Sequence, residues 1–217
     1  MRHAPFAVLP LALAAALLPP AASRAVSRDL DATVSTEGVA SVRLVLPVGE
    51  VEVRGDGGTE LRAELSVHCR RAHSCAGKID DVHLDSTRRG DRLIFTVRGY
   101  PALLNSDNMQ IDGVVHVPAG LPLDIDMKVG DLRIKDVGSD VRVDMGVGEV
   151  RVNVPADGVG RVHLDSGVGD ASLRSPNGRL QARRSMLIGA KLDWREGRGE
   201  ALVDVDLGVG EVTVDLD

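Results

Sequence analysis

Apolar and polar residues alternate along most of the chain beyond residue 40, a period of two that predicts strands. Val141, Val143, Met145 and Val147 alternate with Arg142, Asp144 and Gly146. After Gly148 the alternation slips by one, because Val150 and Val152 are the next apolar pair. A slip of one sends side chains to the wrong face unless the chain bends. Gly148-Glu149 is therefore expected to be a corner or bulge between two short strands. The pattern recurs as "VRLVLPVGEVEV" from 42, "LDIDMKVGDLRI" from 123, "VRVDMGVGEVRV" from 141, "VHLDSGVGDASL" from 162 and "VDVDLGVGEVTV" from 203. The key glycines are Gly49, Gly130, Gly148, Gly169 and Gly210, the last four separated by 18, 21 and 41 residues. Since 41 is nearly twice 20, "SMLIGAKLDW" around Gly189 reads as a degenerate copy in the gap. A repeat of about 20 residues predicts an all-β solenoid of short coils, each burying its apolar side against its neighbours.

Turn-forming runs, "KDVGSD", "VPADGVG" and "SPNGR", separate the repeats and would close the other sides of each coil. Residues 26–118 are strand-like but less regular, with alternation in "LRAELSVHC", "DDVHLDSTRRGDRLIFTV" and "GVVHVPAG". No linker separates them from the regular repeats of 119–217. We expect one domain over 26–217, with sheet-on-sheet packing at its start and no long helix.

The first 25 residues differ. Arg2 and His3 precede an apolar run from Ala4 to Leu18, then Pro19, Pro20 and small residues. That is the layout of a secretory signal peptide, and the run is too short and proline-broken for a membrane span. Cleavage is expected near Ala25, leaving an exported chain in the periplasm or at the cell surface. The formal net charge of −6 becomes more negative once Arg2 and Arg24 are removed. An acidic surface without a basic run argues against nucleic acid and anionic membranes as partners. Beyond the leader, Phe95, Tyr100 and Trp194 are the aromatics, too few for a carbohydrate-stacking or single-strand platform.

The stretch "VVHVPAGLPLDIDMKVGDLRIKDVGSDVRVDMGVGEVRVNVP", residues 114–155, resembles the bacterial "putative adhesin" family of exported proteins, related to the head and toast-rack domains of envelope proteins. The resemblance rests on a Val-Pro-x-Gly lead-in followed by Gly-Asp/Glu repeats flanked by valines, and covers roughly Val42 to Asp217. It implies a right-handed, β-helix-like stack and offers no catalytic residues to carry over.

Cys69 and Cys75, in "VHCRRAHSC", are expected to form a disulfide between two strands, in keeping with an oxidising compartment. A metal site from His68, Cys69, His73 and Cys75 is the alternative. Residues 68 and 69 would point to opposite sides of a strand, which makes one tetrahedral centre awkward. The Gly-Val-Gly corners do not read as phosphate loops, because a strand rather than a helix follows each. The Arg-Gly-Asp runs at 54–56 and 89–91 read as turns, and His83, His116 and His163 as surface or edge residues. Ser166, His163 and Asp165 make a Ser/His/Asp set on paper, but nothing in the spacing orients it.

Two acid columns follow the repeat: Asp126, Asp144, Asp165 and Asp206 four residues before the key glycine, and Asp131, Glu149, Asp170 and Glu211 one after it. Stacked strands lie about 4.8 Å apart, so like charges repel by roughly 1 kcal/mol in water-like surroundings. Arg133 and Arg151 supply counter-charge in the middle coils, whereas the last coil, from Glu200, holds six acids and no base. Asp204, Asp206, Glu211 and Asp215 are therefore candidate cation ligands. The plainer reading is an acidic cap keeping an exposed last strand from pairing with another chain. Trp194 is the candidate contact anchor, or alternatively a residue covering the open flank of a degenerate coil.

These observations point to a non-enzymatic, exported envelope or cell-surface protein that binds or scaffolds, its partner a protein or a cell-surface polymer. No cofactor is expected. A calcium-responsive module is the alternative reading, and an enzyme acting on envelope polysaccharide a more distant one.

Overall fold

The computed structural model describes residues 26–69, 75, 77–100, 109–185 and 188–217. The expected signal peptide, residues 1–25, and His73 lie outside them. The elements of the described residues are strands apart from a 3-10 turn at Ile79–Asp81, and these strands join into one 13-stranded sheet. At its centre five long strands run parallel: β2 (Ser41–Asp56), β7 (Leu123–Lys135), β8 (Val141–Val154), β13 (Ala201–Leu216) and β9 (Val159–Ser175), in that spatial order.

Each long strand has two arms. In β8, Val141, Val143 and Met145 are buried before the key glycine, and Val150, Val152 and Val154 after it. The switch from odd to even positions leaves both arms facing the same interior. Partners divide at the same point. The first arm of β2 pairs with β5 (Arg92–Arg98) and its second arm with β6 (Met109–Pro118), both parallel. At the other end of the ladder, the first arm of β9 pairs with β12 (Gly189–Trp194) and the second with β10 (Gly178–Gln181), both antiparallel. The core fills the angle between the arms. Leu44, Ile125, Val143, Val205 and Leu164 come from one side, and Val53, Ile134, Val152, Val214 and Leu173 from the other, all fully or almost fully buried. Burial of each such side chain contributes roughly 1.5–3 kcal/mol. Val137, in the turn between β7 and β8, is also buried.

At the bend, backbone packs on backbone. Gly49, Gly130, Gly148, Gly210 and Gly169 form one row across the ladder, with φ between +134° and +154°. A Cβ on Gly148 would sit 1.7 Å from the Gly130 carbonyl oxygen, and one on Gly210 1.7 Å from that of Gly148. Each glycine thus seats the carbonyl of the strand beside it.

The remaining strands close the ends. β6 continues antiparallel to β3 (Glu60–Cys69) and then β1 (Val26–Ser35), while β4 (His83–Arg89) forms a hairpin with β5. β11 (Arg183–Ser185) pairs with β12 at the far edge. Cys69, the last residue of β3, is disulfide-bonded to Cys75, with their Cα atoms 6.1 Å apart.

Strand order departs from the sequence reading in two ways. The segment around Gly189 is not a further parallel member, because β12 runs antiparallel to β9. The last strand is not an exposed edge, because β13 lies between β8 and β9 and pairs in parallel with both. The cap reading therefore fails: strands β9 and β12 run in opposite directions, and the turn after Trp194 returns the chain to the gap between β8 and β9.

Gly148→Ala should be strongly destabilising, since both the left-handed φ and the neighbouring carbonyl oppose a side chain. A loss of about 3 kcal/mol or more is expected, seen as a Tm lowered by roughly 6–12 °C. Gly120→Ala, where a Cβ meets nothing within 4 Å, should leave Tm nearly unchanged.

Candidate functional site

In-register pairing turns every outward position of the repeat into a row that crosses the ladder. Six residues before the key glycine the row reads Arg43, Asp124, Arg142, Asp204, His163, Asp193. Basic and acidic side chains alternate along it, with Arg43 to Asp124 at 3.1 Å, Arg142 to Asp204 at 3.2 Å and His163 Nδ1 to Asp193 at 2.8 Å. This pattern was not visible in the sequence because it depends on β13 lying between β8 and β9.

Two residues further on the row reads Asp126, Asp144, Asp206, Asp165, Lys191. Its ends are neutralised, Asp126 by Arg43 at 3.4 Å and Asp165 by the Lys191 ammonium. The middle pair, Asp144 and Asp206, has no ion-pair partner among the described residues. Desolvation by its surroundings, followed by repulsion from Asp204 and Asp165, pushes the Asp206 carboxyl above the ordinary aspartate value of 3.8. Asp206 also meets His163 and Asp165 in a group whose ligand atoms all lie within 4.8 Å of one another.

On the other arm, one residue past the glycine, the row is Glu50, Asp131, Glu149, Glu211, Asp170. Arg151 pairs with Glu149, and Arg133 reaches Glu50 at 3.9 Å. Asp131, Glu211 and Asp170 have no ion-pair partner among the described residues.

Between these acid rows runs a row of valines immediately before the key glycines: Val48, Val129, Val147, Val209, Val168. Val147, Val209 and Val168 are 45%, 44% and 42% exposed. Each stands between two glycines, so no adjacent side chain in its own strand shields it.

The candidate cation ligands are therefore not brought together as a set. Asp204 is engaged by Arg142, Asp215 is held by Arg174 at 2.9 Å, and Glu211 lies on the opposite arm from Asp206. Only Asp206 enters a ligand-like group, and its companions come from β9. Trp194 is 6% exposed and packs in the core, so its ring is not offered as an anchor. Ser166 is fully buried and donates its hydroxyl to the Gly210 carbonyl at 3.1 Å, while Asp165 beside it points outward. Strand alternation thus separates the paper Ser/His/Asp set. The Arg-Gly-Asp run at 89–91 turns the β4–β5 hairpin, with Gly90 at φ +65°, and the run at 54–56 ends β2. The disulfide joins the two cysteines of the alternative metal set to each other. Of its histidines, His68 lies 3.7 Å from Asp112.

No family model and no curated protein matches the sequence. The fold is similar to that of a solved structure described as a "putative cell adhesion protein" from Clostridium sporogenes ATCC 15579, with a TM-score of 0.50 and 13% identity over 88% of this chain and 100% of that one. A "putative adhesin" from Bacteroides fragilis NCTC 9343 matches over 90% of this chain and 98% of that one, at 10% identity and a TM-score of 0.26. At these identities the first likeness is one of fold.

The raised pKa of Asp206 sets a pH dependence. Ionising Asp206 costs more in the folded chain than in the unfolded one, so its penalty is absent well below pH 3.8 and grows as pH rises through the folded value. Asp206→Asn should therefore raise Tm at pH 7 and leave it unchanged near pH 3, as read by thermal melts across that range.

Proposed function

We propose that this chain is an exported, non-enzymatic binding protein of the cell envelope, with the bent parallel ladder as its contact scaffold. The carrying observation is that the repeat projects rows of identical chemistry, apolar at the bend and acidic on either side, onto one continuous surface. Such rows suit an extended interaction surface. The fold likeness to a protein described as a cell adhesion protein supports the reading. So do the disulfide and the leader-like composition of residues 1–25. On this reading residues 26–217 are one domain, and the ladder is a right-handed β-helix-like solenoid whose coil order is interrupted by β13. Right-handedness follows from the usual rule for connections between parallel strands, applied to the step from β7 to β8.

The grouping of His163, Asp165 and Asp206 favours a second reading, a cation-responsive module. Lys191 already neutralises Asp165, so an arriving divalent cation would have to displace that ammonium.

The first reading expects the mature chain to begin near Val26 by mass spectrometry and to be labelled on intact cells by a membrane-impermeant amine reagent. Labelling only after permeabilisation of the outer layer would leave a periplasmic binding role and remove the surface one. An uncleaved chain found only in the cytosol would overturn export altogether.

A further inference from the structure

The valine row has no evident folding role: its side chains face outward, yet valine occupies this position in all five long strands. Val147, Val209 and Val168 are nearly half exposed, and Ile188, 63% exposed, extends the row because its carbonyl accepts a hydrogen bond from the Gly169 amide at 2.8 Å. At the spacing of paired strands, Val48 to Val168 covers about 20 Å. The glycines before the valines of β8, β13 and β9 are also close-packed against backbone, though less tightly than those after them. A Cβ on Gly146 would lie 2.5 Å from the Lys128 carbonyl oxygen, and one on Gly208 2.5 Å from that of Gly146. The ridge therefore stands clear at Val147, Val209 and Val168, with bare backbone on both sides, while the partly buried Val48 and Val129 follow Pro47 and the exposed Lys128. A continuous exposed apolar strip of this kind marks an interaction surface rather than scattered exposure.

The flanks say which partner fits. Asp144 and Asp206 border the ridge on one side and Asp131, Glu211 and Asp170 on the other, all without ion-pair partners among the described residues. Two like-charged rails repel a second copy of the same ridge and an anionic bilayer alike. They attract a segment with an apolar stripe bordered by cations on both sides. We propose that the ridge from Val48 to Val168 docks a basic amphipathic helix of another protein, its apolar stripe on the valines and its Lys or Arg side chains on the two acid rows. A helix matching the ridge needs about 14 residues. The proposal rests on the binding-protein reading and names its surface and partner chemistry.

The test uses the full chain without its first 25 residues and two fluorescent helical peptides of about 14 residues. Both carry a Leu stripe, bordered on both sides by Lys in one and by Glu in the other. Anisotropy titrations should show saturable, salt-sensitive binding of the Lys peptide and none of the Glu peptide. The triple variant Val147→Thr, Val168→Thr, Val209→Thr should weaken binding by about tenfold, and Asp144→Asn with Asp206→Asn should weaken it and flatten its salt dependence. If the triple variant does not fold by circular dichroism, Val209→Thr alone should still weaken binding measurably. Unchanged affinity in the valine variants would mean attraction by charge alone and overturn the proposal. So would absence of Lys-peptide binding, a wild-type dimer by light scattering that the valine variants dissolve, or valine-dependent partition onto phosphatidylcholine vesicles in place of peptide binding. A negative result here with positive labelling of intact cells leaves the envelope role standing and removes only this surface.

Discussion

The structure depends on one contact repeated across the ladder: a glycine Cα seated against the carbonyl of the glycine in the adjacent strand. Any side chain there would overlap backbone, which cannot move aside as the end of a flexible side chain can. The contact holds the bends of neighbouring strands in one register. Once the bends align, every other position aligns, because the side-chain period of a strand is two and a slip of one residue would expose the core valines. The packed angle between the arms and the rows on its outer surface therefore have a common origin.

Alignment has an electrostatic cost, since a sequence repeat stacked in register places like on like. The chain relieves it differently in different rows. The row from Arg43 to Asp193 alternates basic with acidic side chains because Asp204 of β13 falls between Arg142 and His163. The row from Asp126 to Lys191 is neutralised only at its ends, and the strain collects on Asp206. Inserting the last strand inside the ladder also protects it: both its edges are paired, while the outer flanks of the ladder are covered by the short strands β5, β6, β10 and β12. The same insertion brings Asp206 to His163 and Asp165, and Val209 into the middle of the ridge.

Much of this was legible in local pattern. Alternation identified the strands, the phase slip at Gly148 marked a change of direction, and the short Cys69–Cys75 spacing suggested a disulfide, which the structure contains. Trp194 stayed open between contact anchor and flank cover because a degenerate segment carries a weak periodic signal, whereas Ser166 takes the buried position that Met127, Met145 and Leu207 hold in the other repeats. The exposed valines were passed over for another reason. They continue the apolar alternation of the first arm, and only the bend turns them outward.

The sequence by itself determined the strand content, the positions of the bends and the identity of each row, since these follow from side-chain period and from where a Cβ is missing. Only the tertiary structure decided the order of the strands. That order selects which acid meets which base, and it depends on the antiparallel return of β12 and the pairing of β13 on both sides. These are contacts between residues some 24 to 62 positions apart, beyond the reach of any local pattern.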